Sequence, residues 1–115
     1  MMPLDLANSI PMSDASELDA WLADRGGRER EVVVAIYNKA SGRQTVTLVD
    51  LQEVALCHAW VDTQTRRIDA ERYAIRFVPR RAGSHWSPKN RGMARRLHEA
   101  GRLTAAGVAS LPPDL

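Results

Sequence analysis

Cysteine is almost missing: among 115 residues only Cys57 carries a thiol. An intramolecular disulfide framework and a thiolate metal cluster are therefore excluded. Histidine is sparse as well, and His58, His85 and His98 have no ligand spacing, so three or four donors cannot be made to converge on a metal. No apolar run approaches the roughly 18 residues that a membrane span needs. The N-terminal MMPLDLANSIPM has neither a basic start nor a continuous apolar segment, so a secretory signal is not expected. A Gly-rich phosphate loop, a nucleophile elbow and carboxylates at general acid–base spacing are all lacking. The expectation is a non-catalytic cytoplasmic protein without metal or cofactor.

Charge is plentiful but unevenly placed. Residues 1–65 hold five Lys/Arg and ten Asp/Glu, a net of −5, whereas residues 66–102 hold eleven and three, a net of +8. Such polarity suits an anionic partner for the second half. Equally, the two halves can pair with each other.

Pro3 and Pro11 discourage regular structure, so residues 1–12 read as an irregular arm before a single domain over 13–115. In SDASELDAWLADRGG, Ser13 or Asp14 can cap a helix, with Glu17 at capping-box distance from Asp14 and Gly26-Gly27 as the stop. EVVVAIYN (31–38) is a β-branched apolar run, predicting a strand covered on both faces. QTVT (44–47) predicts a short return strand. Thr47 and Asp50 form a capping box that opens a buried helix through LVDLQEVALCHAWVD. TRRID and RYAIRFV predict a hairpin around Asp69-Ala70-Glu71, with Tyr73, Ile75 and Phe77 inward and arginines on the other face. Ser87-Pro88 starts a helix to about Ala100, and Thr104 caps a short last one. The sum is α+β: a small, mostly antiparallel sheet of two hairpins packed with three to four helices. The final helix is short, and an edge that it leaves uncovered would favour a homodimer.

Arg91, Arg95, His98 and Arg102 follow one another at i, i+4, i+7 and i+11, one face of the last long helix opposite Met93 and Leu97. A phosphate-bearing polymer suits such a track, with a solvated helix face as the plainer reading. Ser87-Pro88-Lys89-Asn90 has the makings of an anion site at a helix start, although Ser87 can simply cap the helix and Trp86 can be core. Cys57 and His58 are adjacent on a helix, so they do not face each other and the thiol reads as an inert apolar residue. Asp62 would sit at a helix C-terminus, against the dipole, and calls for a partner such as Arg66 or Arg67.

ALCHAWVDTQTRRID, RYAIRFVPRRAGSHWSPKN and ARRLHEAGRLTAAG, read in order, resemble the bacteriocin-protection, OmpD-associated (YdeI-like) family over about residues 30–107. Members usually carry Gly where this chain has Thr63, and usually run on beyond Leu115, which implies a short or truncated member. The resemblance implies tolerance to bacteriocins or cationic peptides and association with a porin, and brings no catalytic residues. The expected binding surface is Asp62, Gln64, Arg66, Arg76, Arg80, Arg81, Trp86, Ser87 and Asn90, for an unknown anionic ligand or protein partner. The alternative is a nucleic-acid-binding module using Arg91, Arg95, His98 and Arg102.

Overall fold

The computed structural model describes residues 4–115. In chain order the elements are β1 (Ile10–Pro11), α1 (Ala15–Arg25), β2 (Val32–Tyr37), α2 (Leu48–Cys57), β3 (Trp60–Arg67), β4 (Arg72–Pro79), α3 (Pro88–Glu99) and α4 (Ala105–Ala109). The sheet order is β1-β2-β4-β3, antiparallel except for the two-residue parallel edge β1. The α+β class and the mostly antiparallel sheet hold.

Helix starts follow their local chemistry. Thr47 and Asp50 cap α2 reciprocally, the hydroxyl accepting from the Asp50 N–H and the carboxylate from the Thr47 N–H. Ser87 caps α3 with Pro88 at its first position, and Thr104 caps α4. At α1 the box is displaced by one residue. Asp14 caps through the Ser16 N–H, while Glu17 accepts from the Ser13 hydroxyl rather than reaching Asp14.

Three expectations change. The helix opened by Thr47 ends at Cys57 rather than Asp62, and Trp60 already begins β3. Val61, Thr63 and Thr65 are β-branched at alternate positions, which favours a strand, and Ala59 turns the corner with φ +64°. Asp62 is therefore a strand residue, free of any helix dipole. Secondly, QTVT forms no strand. Val46 drops into the core, Thr47 becomes a cap, and β2 pairs with β4 instead, so only one of the two hairpins exists. Thirdly, the arm is not wholly irregular. Residues 1–3 lie outside the described part, but Ile10–Pro11 pair with Val34–Ala35, and the Met12 N–H donates to the Ala35 carbonyl at 3.0 Å. Proline is tolerated there because β1 is an edge.

Helices α1 and α2 cover one face of the sheet. Leu18, Leu22, Leu51 and Val54 meet Val34, Ile36, Ile75 and Phe77 there. Trp21 packs edge-on against Trp60, ring centroids 5.8 Å apart. A second cluster joins α2 to α3 through Leu56, Cys57, Met93, Ala94 and Leu97, with Trp86 half-buried at its margin rather than in the core proper. On the other sheet face, Leu4 packs on Val33 and Ala74, with Leu6 and Ile68 beside them. No helix among the described residues is long and apolar enough to cross a membrane.

Candidate functional site

The bulge in β3 decides which polar residues can meet. Asp62 stands opposite Phe77, whereas Gln64, two residues on, stands opposite Arg76. Without the extra residue, Thr63, Asp62 and Gln64 would share a face; with it they are on opposite sides. The nine-residue surface expected from the sequence is thus divided by the sheet.

On the face away from the helices, Arg76 is buried, only 7% exposed. Its Nη1 donates to Gln64 Oε1 at 3.3 Å, and its Nε lies 3.4 Å from a Glu31 carboxylate oxygen. Arg66, opposite Ala74, is exposed on that face. Here Arg76 is the centre of a structural ion pair joining the start of β2 to β3 and β4.

On the helix face, Asp62 Oδ1 accepts from Gln52 Nε2 at 3.3 Å, and Gln52 Oε1 accepts from Lys89 Nζ at 3.2 Å. This relay ties β3 through α2 to the first turn of α3. Ser87 uses its hydroxyl oxygen on the Asn90 backbone N–H at 3.1 Å, so the Ser87 side chain serves the helix start.

Past the end of β4, Arg80 lies flat on Trp86, its guanidinium carbon 3.9 Å from the ring centroid. Cation and ring attract through the ring's negative face. Nη1 also reaches Ser84 Oγ at 3.3 Å and the His85 carbonyl at 3.4 Å, both long bonds. Its Nε–H is buried without a hydrogen-bond acceptor among the described residues. Burial pulls the Arg80 pKa below the usual arginine value, and the nearby Asp62 charge partly offsets this. Arg81 next to it is exposed and makes no side-chain ion pair or hydrogen bond among the described residues. Gly83, at φ +74°, lets the loop turn back so that the Ser84 N–H meets the Arg81 carbonyl at 3.2 Å.

Arg80, Arg81 and Trp86 form one wall of a groove of about 690 Å³; Ala59 lies at its base, and Ala106, Ala109, Ser110, Leu111, Pro112 and Pro113 form the facing wall. No carboxylate among the described residues lines it. Gln52, Ala59 and the 106–113 wall were not expected from the sequence. Pro112-Pro113 read only as a helix stop, and nothing local says that this stop faces Trp86.

The basic stripe on α3 does not stay together. Arg91 pairs with Asp114, whose carboxyl it holds below the usual range chiefly by hydrogen bonding. Gly101 at φ +69° reverses the chain, and Arg102 returns to α2, where it and Arg96 share Glu53 at 3.3 and 3.2 Å. Arg95 and His98 remain exposed, beside a cleft of about 220 Å³ that includes Asp114 and Leu115. Pairing of first-half acids with second-half arginines is thus realised at Glu31–Arg76 and at Glu53 with Arg96 and Arg102, while Arg43–Glu71 joins the halves in the opposite sense.

Cys57 is buried, and burial pushes its thiol pKa up. His58 turns instead to Asp19, Nε2 to Oδ1 at 2.7 Å, pinning the end of α2 to α1.

No curated protein and no solved structure matches this chain. A family described as "Domain of unknown function (DUF8412)" matches residues 10–110, which run from β1 past the end of α4, and the chain belongs to that family.

Proposed function

We propose that the protein is a non-catalytic binding module of the cytoplasm that takes an anionic ligand at the groove bounded by Arg80, Arg81 and Trp86. The observation that carries this is the pair of neighbouring guanidiniums on a wall without carboxylates. Arg80 is already oriented by Trp86 and Ser84, so little side-chain freedom is lost on binding. The resemblance to bacteriocin-protection, OmpD-associated proteins suits a role in binding rather than chemistry, and two of its sequence blocks fall on β3, β4 and the loop that builds this wall. Elsewhere on the expected surface, Arg76 and Gln64 are tied together beyond the sheet, Asp62 accepts from Gln52, and Ser87 caps α3.

A polymer-binding reading through Arg91, Arg95, His98 and Arg102 retains Arg95 and His98 as its exposed pair. The groove is favoured because its two cations are adjacent and no carboxylate lines it among the described residues.

Titration with inorganic phosphate at constant ionic strength, followed by backbone amide NMR, tests the proposal. Shifts confined to residues 80–86 and the facing 106–113 segment are expected, and Arg81→Ala should abolish them while leaving the ligand-free spectrum largely intact. Shifts centred on residues 91–98, or full binding by Arg81→Ala, would place the anion elsewhere.

A further inference from the structure

Three of the groove's properties specify its ligand more closely, on the footing that the groove is the binding site. Its size is within the roughly 300–1,000 Å³ of small-molecule sites, at about 690 Å³. Its exposed lining is mainly apolar away from the arginine end, with Trp86, Leu111, Pro112 and several alanines. Its charge is modest. Two guanidiniums, Arg80 and Arg81, stand at one end of the lining; Asp62 is not among the lining residues and is hydrogen-bonded to Gln52, but its charge acts on Arg80. An anionic head is matched by the partly buried Arg80, whose Nε–H has no acceptor among the described residues, with the exposed Arg81 beside it. The planar guanidinium fork also suits a planar two-oxygen acceptor.

We propose that the groove takes a monocarboxylate on an apolar body of small-molecule size, of the medium-chain acyl or aryl class, with its carboxylate at Arg80 and Arg81 and its body between Trp86 and the Ala106–Pro113 wall. Trp86 has a double part here. Its ring carries the Arg80 guanidinium, and the same residue lines the groove.

Isothermal titration of the full chain with octanoate, octanamide and acetate separates the contributions. Octanoate should bind at least about thirtyfold more tightly than acetate, because several methylenes leave water. It should also exceed octanamide by at least about tenfold, the step expected for losing a charge-assisted pair. Arg81→Ala should bring octanoate down to the octanamide level. Ala109→Phe, a change at an exposed position of the far wall, should weaken octanoate and leave acetate unchanged. If octanoate is no tighter than acetate, the apolar-body inference falls, while phosphate binding at residues 80–86 would keep the anion site standing. If octanamide equals octanoate, or if neither octanoate nor phosphate binds, the anion site falls with it. Comparing octanoate with 4-phenylbutyrate distinguishes an acyl from an aryl ligand.

Discussion

Ala59 is the residue on which the path of the chain turns. With φ +64° it is the one non-glycine residue in the left-handed region among those described. Its N–H donates to the Leu56 carbonyl at 3.1 Å and its carbonyl accepts from the Arg80 N–H at 2.8 Å, so the corner also anchors the start of the arginine loop. A Cβ in that region costs about 1–2 kcal/mol, and glycine loosens the unfolded chain by about 0.4–1 kcal/mol. Ala59→Gly should therefore stabilise the protein by about 0.5–1 kcal/mol and raise the melting temperature by a few degrees in a thermal scan. A fall would mean that the corner is not strained. This residue was not legible in the sequence. Ala is a good helix former within an apolar stretch, and the left-handed corner is imposed by where β3 must pair. The caps at Thr47, Ser87 and Thr104 were legible, because a cap is settled by residues two or three positions away. Arg76 and Arg80 look alike in the sequence. Only the strand register puts one against Gln64 and Glu31 and the other against Trp86.

Among the elements, β4 was legible as a strand, since Tyr73, Ile75 and Phe77 alternate with Arg72, Ala74 and Arg76 and period two is a local signal, although its second face is buried as well at Ala74 and Arg76. Its partners were not. β2 looked for its neighbour at QTVT, the next β-branched residues, but pairs with β4 some forty residues later, and loop-closing distance leaves no mark on sequence period. The boundary between α2 and β3 was blurred for a related reason, because a buried helix followed by a half-buried strand gives an apolar run, Val54 to Val61, that only His58 interrupts. The packing of α4 onto the end of α2 is sharper. Thr104 donates from both N–H and hydroxyl to the Cys57 carbonyl, at 3.0 and 2.7 Å. Gly107 comes so close that a Cβ there would sit inside the van der Waals envelope of that same carbonyl oxygen, which is backbone and cannot swing away. Gly107→Ala should thus destabilise by about 1–3 kcal/mol, as overpacking does. It should also splay the far wall of the groove. A shift of the urea midpoint measures the first effect, and Val108→Ala, at a 46% exposed neighbouring position, is the control that should move it little. An unchanged midpoint in Gly107→Ala would show that α4 is not seated against α2.

Across the whole molecule the acidic first half answers the basic second half at three arginines, Arg76, Arg96 and Arg102. Glu53 on α2 takes two arginines from the region of α3, Glu31 meets Arg76, and Arg43 meets Glu71. The sequence showed the imbalance but not this interlocking, because an ion pair needs a fold before it has a distance. The consequence bears on polymer binding. The number of phosphates neutralised sets how steeply affinity falls with salt, about 0.9 per contact on a double-logarithmic plot for duplex DNA. Arg91, Arg95, His98 and Arg102, if all were free and charged, would give a slope near −3.6 by that rule, whereas Arg95 gives about −0.9 with a neutral His98 and about −1.8 with a charged one. Anisotropy titrations of a labelled 30-mer duplex between 25 and 200 mM salt should therefore show weak binding and a shallow slope. Asp114→Asn, which frees Arg91, should steepen it by about one contact. A slope near −3.6 in the unaltered chain would mean that Arg91 and Arg102 leave their acids for phosphate, and that the α3 face rather than the groove is the principal anion surface.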